Sequence, residues 1–297
     1  MKKIDHPPRL PHRAADSHKG TFGRVLVVGG SRGMIGAPAL AGNAALRGGA
    51  GLATLAVPEP IQLAVATLCP CATSLPLACN ASGELVPESI RQVLDVAEQC
   101  SVLAVGPGMG IGGGQKNLIR ACLEQTKPVV LDADGLNNLQ GMEGWVAWRR
   151  CPLVLTPHPG EFARLTGLKG ADVQSDRMKH AVDAAQRWND QFVKTTAEAL
   201  PLVLVLKGAG TVVTDGQGVY VNNTGNPGMA TGGAGDVLTG LLAAVLAQGM
   251  LPFGAACLAV NAHGHAGDLA AEKLGQVSLI ATDLLDFLPA AMQEAVE

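Results

Sequence analysis

The sequence predicts an α/β fold in which helices cover both faces of a central, mostly parallel sheet. Short apolar segments rich in valine and leucine recur along the chain and alternate with segments that carry helix signals, as in parallel α/β proteins. Glycine makes up 38 of the 297 residues, and 47% of all residues are apolar although only 3% are aromatic. A core of alanine, valine and leucine with many glycines lets helices pack closely on a buried sheet.

The predicted strands can be followed in chain order. Residues 24–29 (RVLVVG) form the first strand, and an alanine-rich helix follows over residues 35–47. Further apolar segments predict strands at residues 52–57, 101–106, 128–132, 153–156 and 202–206. Residues 211–214 and 219–222 flank a turn with two glycines and predict a hairpin. Because ligands bind at the carboxyl ends of parallel strands, we expect the site near Gly29, Gly106, Asp132, Thr156 and Lys207.

Two longer segments predict helices. Residues 172 to about 199 carry charge on most turns and predict a solvated outer helix. Residues 237–262 are the longest apolar stretch, but Gly249 and Pro252 divide it. This stretch therefore predicts two buried helices rather than a membrane span.

The chain shows no linker, repeat or low-complexity block, and we expect residues 1–297 to form a single domain. Residues 1–20 hold five lysine or arginine residues and no apolar run, so they predict an N-terminal surface arm or lid rather than a signal peptide.

Composition excludes several function classes. The high apolar and low charged content excludes a disordered chain. A net charge of −3 gives no reason to expect nucleic acid or a membrane surface as a partner. The few aromatic residues argue against a base-stacking platform. The seven cysteines match no zinc spacing, even at Cys69, Cys71 and Cys79, and predict buried free thiols in a reducing cytoplasm.

Glycines also cluster near the N-terminus, where residues 29–36 follow a strand and open a helix. The spacing is not G-x-G-x-x-G, and Glu59 is the only acid near the end of the next strand, so the dinucleotide-binding interpretation is weak. Two other interpretations stay open. The glycines let helix and strand approach closely, or N–H groups near Gly36 and Ala37 bind part of a ligand.

The strongest chemical signal is residues 226–240 (NPGMATGGAGDVLTG), in which glycines precede an apolar helix. The first turn of a helix has unpaired N–H groups and the positive end of the dipole, and can stabilise a phosphoryl group in transfer. Asp236 begins this helix and is either a helix cap or a general base for a substrate hydroxyl. No Walker-A lysine is present, so the segment is not a P-loop.

Other polar residues follow predicted strands. Lys207 either reaches a phosphate or emerges into solvent, and Gly208 and Gly210 allow close backbone approach or a turn. His158, between two prolines, either contacts substrate or bonds the local backbone. Asp132 and Asp134 could orient polar groups, and Asp134 could equally cap a short helix. Asn137 and Glu161 are candidates to contact the site residues from behind or to bind a magnesium-bound water. His263 and His265 lie two residues apart on a predicted helix and face different ways, so they predict no metal pair.

Residues 231–236 (TGGAGD) resemble the anion-hole and base signature of the ribokinase-like superfamily. More narrowly, the chain from about residue 20 to 285 resembles the ADP-dependent NAD(P)H-hydrate dehydratases. The motifs that carry this resemblance are residues 27–36 (VVGGSRGMIG), 45–52 (ALRGGAGL), 104–110 (AVGPGMG), 131–137 (LDADGLN), 156–165 (TPHPGEFARL) and 207–211 (KGAGT).

The resemblance implies a ribokinase-like three-layer α/β/α fold and a hydro-lyase that uses ADP to dehydrate the S epimer of hydrated NADH or NADPH (NADHX and NADPHX), giving NAD(P)H, AMP and phosphate. It also implies Mg²⁺ as cofactor, ADP as co-substrate, a cytoplasmic homotetramer, and a separate NAD(P)HX epimerase that we do not expect within this chain. ADP rather than ATP preference comes from the resemblance alone.

The resemblance assigns residues to three roles. Ala37, Gly108, His158 and Asp236 contact the hydrated nicotinamide. Asp236 is also the base, and the N–H groups of Gly233, Ala234 and Gly235 hold the phosphoryl group. The adenine nucleotide contacts Lys207, Gly208, Ala209, Gly210, Thr211 and Gly235. Metal ligands stay open.

Two alternatives remain. A kinase of a vitamin precursor would share the anion loop but release a stable phosphorylated product. A non-catalytic nucleotide sensor would keep residues 207–211 without using Asp236 as a base.

Overall fold

The computed structural model describes residues 2–193 and 200–296. Its strands are Lys2–Ile4 (β1), Arg24–Val28 (β2), Leu52–Pro58 (β3), Thr73–Leu77 (β4), Val102–Val105 (β5), Val129–Leu131 (β6), Leu153–Leu155 (β7), Leu202–Leu206 (β8), Val212–Thr214 (β9) and Gly218–Val221 (β10). Its helices are Gly36–Arg47 (α1), Gln62–Leu68 (α2), Pro87–Ala97 (α3), Gly113–Leu123 (α4), Asp134–Leu139 (α5), Trp145–Trp148 (α6), Pro159–Thr166 (α7), Gly170–Ser175 (α8), Arg177–Val193 (α9), Ala234–Ala247 (α10), Pro252–Leu274 (α11) and Ala281–Glu294 (α12).

The strands form one sheet in the order β1-β10-β9-β8-β7-β6-β5-β2-β3-β4. Strand β9 is antiparallel to both β8 and β10, and the other neighbouring pairs are parallel. The mostly parallel sheet and the hairpin of β9 and β10 confirm the predictions. Strands β1 and β4, at the two edges, were not expected from the sequence.

Each face of the sheet carries its own core. Side chains alternate along β2, so that Val25 and Val27 join one core while Leu26 and Val28 join the other. The first core packs α1, α10, α11 and α12 on the sheet, and the second packs α3, α4, α5, α7 and α9. The result is the predicted arrangement of helices on both sides.

Close packing of α1 on α10 explains part of the high glycine content. A Cβ atom at Gly240 would lie 1.9 Å from the carbonyl oxygen of Ala41, so only glycine fits there. This contact fixes α10, whose first turn holds the predicted anion loop, directly over the sheet.

The long apolar stretch forms α10 and α11, separated by residues 248–251, as predicted. In the part of the chain that the structure describes, no helix is both long enough and apolar enough to cross a bilayer. The predicted outer helix is interrupted at Asp176 into α8 and α9, and α9 buries Ala181, Ala185 and Trp188 on one side. Helix α9 is therefore amphipathic rather than solvated all round, and residues 194–199 of the prediction lie outside the described residues.

The N-terminal segment is anchored to the body of the protein. Residues 2–4 add β1 to the sheet beside β10, and Leu10 bridges to Val296. Arg13 donates to the carbonyl of Gly49 (2.7 Å), beyond the C-terminal end of α1. Residues 2–13 therefore contact the body of the protein at several points, and the N-terminal surface arm or lid stays a prediction.

All seven cysteines are free thiols, as predicted, but Cys71 is exposed and Cys79 only half-buried, contrary to the expectation that all are buried.

Candidate active site

Polar side chains meet at the carboxyl ends of β6 and β8. Lys207 Nζ lies 2.6 Å from Asp132 Oδ1, and the hydroxyl of Thr239 in α10 donates to Asp132 Oδ2 at 2.7 Å. Asp132 is only 1% exposed. Asp132 thus connects the ends of β6 and β8 with α10 at the carboxyl edge of the sheet, where parallel sheets bind ligands.

Asp236 lies half-buried in the first turn of α10, and no described residue donates a hydrogen bond to its carboxylate. Burial, with the negative charge of Asp132 adding to it and Lys207 opposing it, raises the pKa of Asp236 to about 7. The helix-cap alternative is not observed, because Gly233 occupies the N-cap position without any side-chain cap. A carboxyl group that titrates near neutrality is suited to accept a proton.

The glycine tract is held by its surroundings. Gly233 adopts φ +93°, which strains any residue with a side chain, and a Cβ atom there would lie 2.6 Å from Leu40 Cδ1 and 2.9 Å from Ala281 Cβ. A Cβ atom at Gly235 would lie 3.3 Å from Lys207 Nζ. The N–H groups of this first turn have no partners within the helix, and the lysine stands beside them.

A cavity of about 710 Å³ opens beside these residues. Its lining includes the predicted nucleotide residues Lys207, Gly208, Ala209, Gly210, Thr211 and Gly235, together with His158. Pro159 and residues 226, 227, 229–231, 234 and 238 of the predicted glycine-led segment also line it. The sequence did not indicate residues 222–225 or the part of α11 that complete the wall. A volume of this size accommodates a nucleotide-sized ligand.

The other predicted substrate residues lie outside this lining. A Cβ atom at Gly108 would lie 3.0 Å from Ala37 Cβ, so the two glycine-rich loops touch each other. Gly110 donates to Asp134 Oδ2 at 2.9 Å, and the charge of Asp134 also acts to raise the pKa of Asp236. Asp134 therefore links this pair of loops to the predicted base.

His158 begins α7 and caps it. Its Nδ1 accepts hydrogen bonds from the N–H groups of Gly160 (3.0 Å) and Glu161 (3.4 Å), and Glu161 Oε2 accepts from the N–H of His158 at 2.7 Å. The local-backbone interpretation of His158 is thus correct for Nδ1, while half of its side chain is exposed at the cavity.

Asp134 and Asn137 are already engaged with each other. Asn137 donates to Asp134 Oδ1 (3.1 Å) and accepts from Arg164 (2.8 Å). Asp134 lies in the first turn of α5, whose N-cap is Ala133, so it does not act as the cap. Asn137 has little freedom left to bind a metal-bound water.

His263 lines the cavity, although sequence reasoning singled it out only as an improbable metal ligand. Its Nε2 lies 2.9 Å from the carbonyl oxygen of Ala234 and must donate, since a carbonyl only accepts. Burial lowers the pKa of His263 to about 4, so the ring is neutral at pH 7. His265 points elsewhere, 3.1 Å from Glu294, and the described residues contain no group of three side chains fit to hold a metal.

The mostly parallel sheet with helices on both faces places the protein in the ribokinase-like fold class. A ribokinase-like superfamily protein from Enterococcus faecalis V583 superposes with a TM-score of 0.79 at 24% identity, over 100% of this chain and 96% of that one. Residues 25–290 match the family model described as NAD(P)H-hydrate dehydratase. The chain belongs to the NAD(P)H-hydrate dehydratase family of enzymes.

Two relatives support the family assignment. The bifunctional NAD(P)H-hydrate repair enzyme Nnr of Moorella thermoacetica is 44% identical over 292 residues, 97% of this chain and 53% of that protein. The ADP/ATP-dependent NAD(P)H-hydrate dehydratase from Bacillus subtilis, co-crystallised with ATP and Mg²⁺, has a TM-score of 0.80 and 32% identity, and the match covers 97% of this chain and 95% of that one. This chain spans about half the length of the curated relatives it matches.

Proposed function

We propose that this protein uses ADP to dehydrate the S epimer of hydrated NADH and NADPH, regenerating NAD(P)H and releasing AMP and phosphate. One observation carries the proposal: Asp236 presents a carboxylate that no described residue binds, in the same helical turn as the glycine N–H groups and near Lys207. The Bacillus subtilis relative is named as ADP/ATP-dependent, which supports a nucleotide as co-substrate.

The hydroxide at C6 of the hydrated nicotinamide ring is a poor leaving group, and the proposed reaction converts it into phosphate, which leaves readily. The C6 hydroxyl of the hydrated nicotinamide ring loses its proton to Asp236 as its oxygen attacks the terminal phosphorus of ADP. The bond from that phosphorus to AMP breaks, and the N–H groups of Gly233, Ala234 and Gly235 stabilise the charge on the phosphoryl oxygens. The ring nitrogen then supplies an electron pair, the C–O bond breaks, and inorganic phosphate leaves as the ring loses a proton from the neighbouring carbon.

The two substrates would approach from different sides of α10. The nucleotide would occupy the cavity against residues 207–211, where Lys207 offers a cation. The nicotinamide would lie by Ala37 and Gly108, with His158 at the rim. Asp236 would then stand between the hydroxyl and the terminal phosphate.

Magnesium would screen the phosphate charges of the nucleotide. Mg²⁺ at such sites is usually held by substrate phosphates and water with one or two carboxylates. Such a site needs no cluster of three His, Cys, Asp or Glu side chains, and the described residues contain none. Glu161 is the carboxylate we propose to contact a metal-bound water, because it is buried beside Lys207 and Asp132. The Mg²⁺ in the relative's crystals is consistent with this role.

We further propose that the whole chain acts as one domain in a cytoplasmic homotetramer and that an NAD(P)HX epimerase supplies the S epimer. The name of the bifunctional relatives supports the pairing of two repair activities. Light scattering of the purified protein tests the tetramer, and a monomer would contradict it.

The decisive experiment follows NADH absorbance after adding ADP and Mg²⁺ to hydrated NADH. We expect wild-type protein to restore the absorbance and Asp236→Asn to lower kcat on the order of 10³-fold while still binding ADP. Asp95→Asn, an exposed acid in α3, is the matched control and should retain full activity. Near-normal turnover by Asp236→Asn would contradict the base assignment, and a stable phosphorylated product would indicate the kinase alternative instead.

A further inference from the structure

Arg177, the first residue of α9, lies beneath the loop that forms one wall of the cavity. Its guanidinium donates to three backbone carbonyls of that loop: Nη2 to Leu206 and Lys207 (2.9 Å each) and Nη1 to Ala209 (2.5 Å). Arg177 does not itself line the cavity. The loop of residues 207–210 therefore lies between this cation and the space proposed for the nucleotide.

The placement of Arg177 is electrostatically unusual. A cation in the first turn of a helix faces the positive end of the helix dipole, which is unfavourable. Arg177 is also partly buried, and no described carboxylate lies within 4.0 Å of it. Burial accordingly lowers its pKa. The loop carbonyls are thus its compensating partners, and holding the loop is the role that the contacts indicate.

These contacts orient the peptide groups of the loop. In a trans peptide the carbonyl and the following N–H point in opposite directions, so an Ala209 carbonyl directed at Arg177 sends the Gly210 N–H away from it. The N–H groups of Ala209 and Gly210 make no hydrogen bond with any described residue. Gly208 adopts φ +137°, and a Cβ atom there would lie 2.9 Å from Arg177 Nη2. Unpaired N–H groups in a glycine-rich loop form an anion-binding concavity.

We propose that Arg177 is a positioning residue for nucleotide binding: by holding the carbonyls of residues 206, 207 and 209, it fixes the loop so that the unpaired N–H of Gly210 points away from the guanidinium and toward the nucleotide phosphates. The inference rests on the proposed function for the identity of the ligand. It adds a residue that touches neither substrate but sets the affinity of the nucleotide site.

Calorimetric titration with ADP tests this role. We expect Arg177→Ala to raise the Kd for ADP on the order of thirtyfold, since three charge-assisted hydrogen bonds are lost. The KM for hydrated NADH should stay close to that of the wild type. Arg177→Lys keeps the charge without the planar fork and should give an intermediate Kd. Arg187→Ala, on the exposed side of the same helix, is the matched control and should bind like the wild type.

Guanidinium ion added to Arg177→Ala should restore part of the ADP affinity, which a merely structural defect would not show. Wild-type ADP affinity in Arg177→Ala would overturn the proposal. The proposal would also be overturned if Arg177→Ala lost affinity for ADP and for hydrated NADH equally, had a lowered Tm and was not rescued by guanidinium.

Amide hydrogen exchange separates this inference from the proposed function. In ligand-free protein, Arg177→Ala should speed exchange at residues 208–211 relative to wild type and to Arg187→Ala, whatever reaction the enzyme catalyses. If wild-type protein binds ADP but does not restore NADH, the proposed function fails while the Arg177 effect persists. Unchanged exchange in this loop would refute the positioning role itself.

Discussion

Two cationic side chains, the half-buried Lys207 and the buried Arg149, lie at opposite ends of the same sheet, and their surroundings differ. Lys207, at the carboxyl end of β8, pairs with Asp132 and lies near Glu161 and Asp236. Arg149, before the amino end of β7, is 1% exposed and contacts only neutral groups among the described residues. Its partners are the carbonyl oxygens of Cys151 (2.5 Å) and Leu200 (2.7 Å) and the ring of Phe192, whose centroid lies 4.0 Å from Cζ.

The two ends of the sheet differ in the charged groups that surround each cation. Burial lowers the pKa of Lys207, but the charges of Asp132 and Glu161 and the hydrogen bond to Asp132 outweigh it and leave the pKa raised. Burial lowers the pKa of Arg149 to about 10, and among the residues that the structure describes no carboxylate opposes this effect. Both side chains stay charged at pH 7. The carboxylates therefore gather at the end where we propose phosphate chemistry, while the other cation only joins backbone segments.

The largest effect should come from removing the cation at the carboxyl end. We expect Lys207→Met to lower kcat/KM on the order of 10³-fold, because the transferring phosphoryl group loses the nearest positive charge. Steady-state rates of NADH recovery measure it. Lys179→Met, an exposed lysine of α9, is the control and should be unaffected. Activity within a few-fold of wild type would erase the distinction between the two ends.

Next in size is the effect of pH through Asp236. Its folded pKa of about 7 lies above the ordinary aspartate pKa of 3.8, so the folded state binds the proton more tightly and loses stability as pH rises from 3.8 to 7. We expect Asp236→Asn to exceed wild type in unfolding free energy by about 4 kcal/mol above pH 7 and to equal it near pH 4. Urea titrations across this range measure the difference.

The same titration governs the rate. Since the base must be ionised to accept a proton, kcat of the wild type should rise with pH through about 7 and then level off. A stability difference that does not change with pH, together with a flat rate profile, would contradict the raised pKa.

Much of the site could be predicted because its signals are local in sequence. The glycines before Asp236, and the loop that follows the strand ending at Leu206, predict a helix-led anion site and a turn from a few neighbouring residues. The structure brings Lys207, Gly235 and Asp236 together as expected, because parallel strands and the helices that follow them place their ends at one edge of the sheet.

What sequence reasoning missed depends on contacts between distant segments. Arg177 lies in a polar segment and acts on residues 206–209 about thirty positions away. His263 has its partner, the carbonyl of Ala234, on another helix. The edge strand β1 exists because residues 2–4 pair with residues 218–220 of β10, which are distant in the sequence. No local pattern marks these partners, since each depends on how the finished sheet orders its strands.

The amino end of the sheet should respond in stability and not in activity. Arg149→Met leaves the buried carbonyl of Cys151 and the half-buried carbonyl of Leu200 without this donor, and we expect a loss of about 3 kcal/mol in unfolding free energy. At temperatures where the variant is folded, its kcat/KM should equal that of the wild type. Arg150→Met changes the exposed neighbour and should alter neither quantity. A loss of activity in folded Arg149→Met would show that the two ends are coupled.

The smallest effect should come from the hydroxyl that supports Asp132. Thr239→Val keeps the shape of a fully buried side chain but removes the donor 2.7 Å from Asp132 Oδ2. We expect a loss of about 1.5 kcal/mol in stability and a several-fold fall in kcat/KM. Asp132 would retain its ion pair with Lys207 but lose the hydrogen bond that fixes its other carboxylate oxygen. Thr214→Val is the matched control: it is equally buried and donates to the carbonyl of Gly218 at 2.7 Å, away from the cavity lining. It should lose at least as much stability, because its hydroxyl also accepts from the N–H of Gly216 at 3.0 Å, and it should lose no activity. If both valine variants lower kcat/KM alike, the effect belongs to general packing and not to the carboxylate network around Lys207.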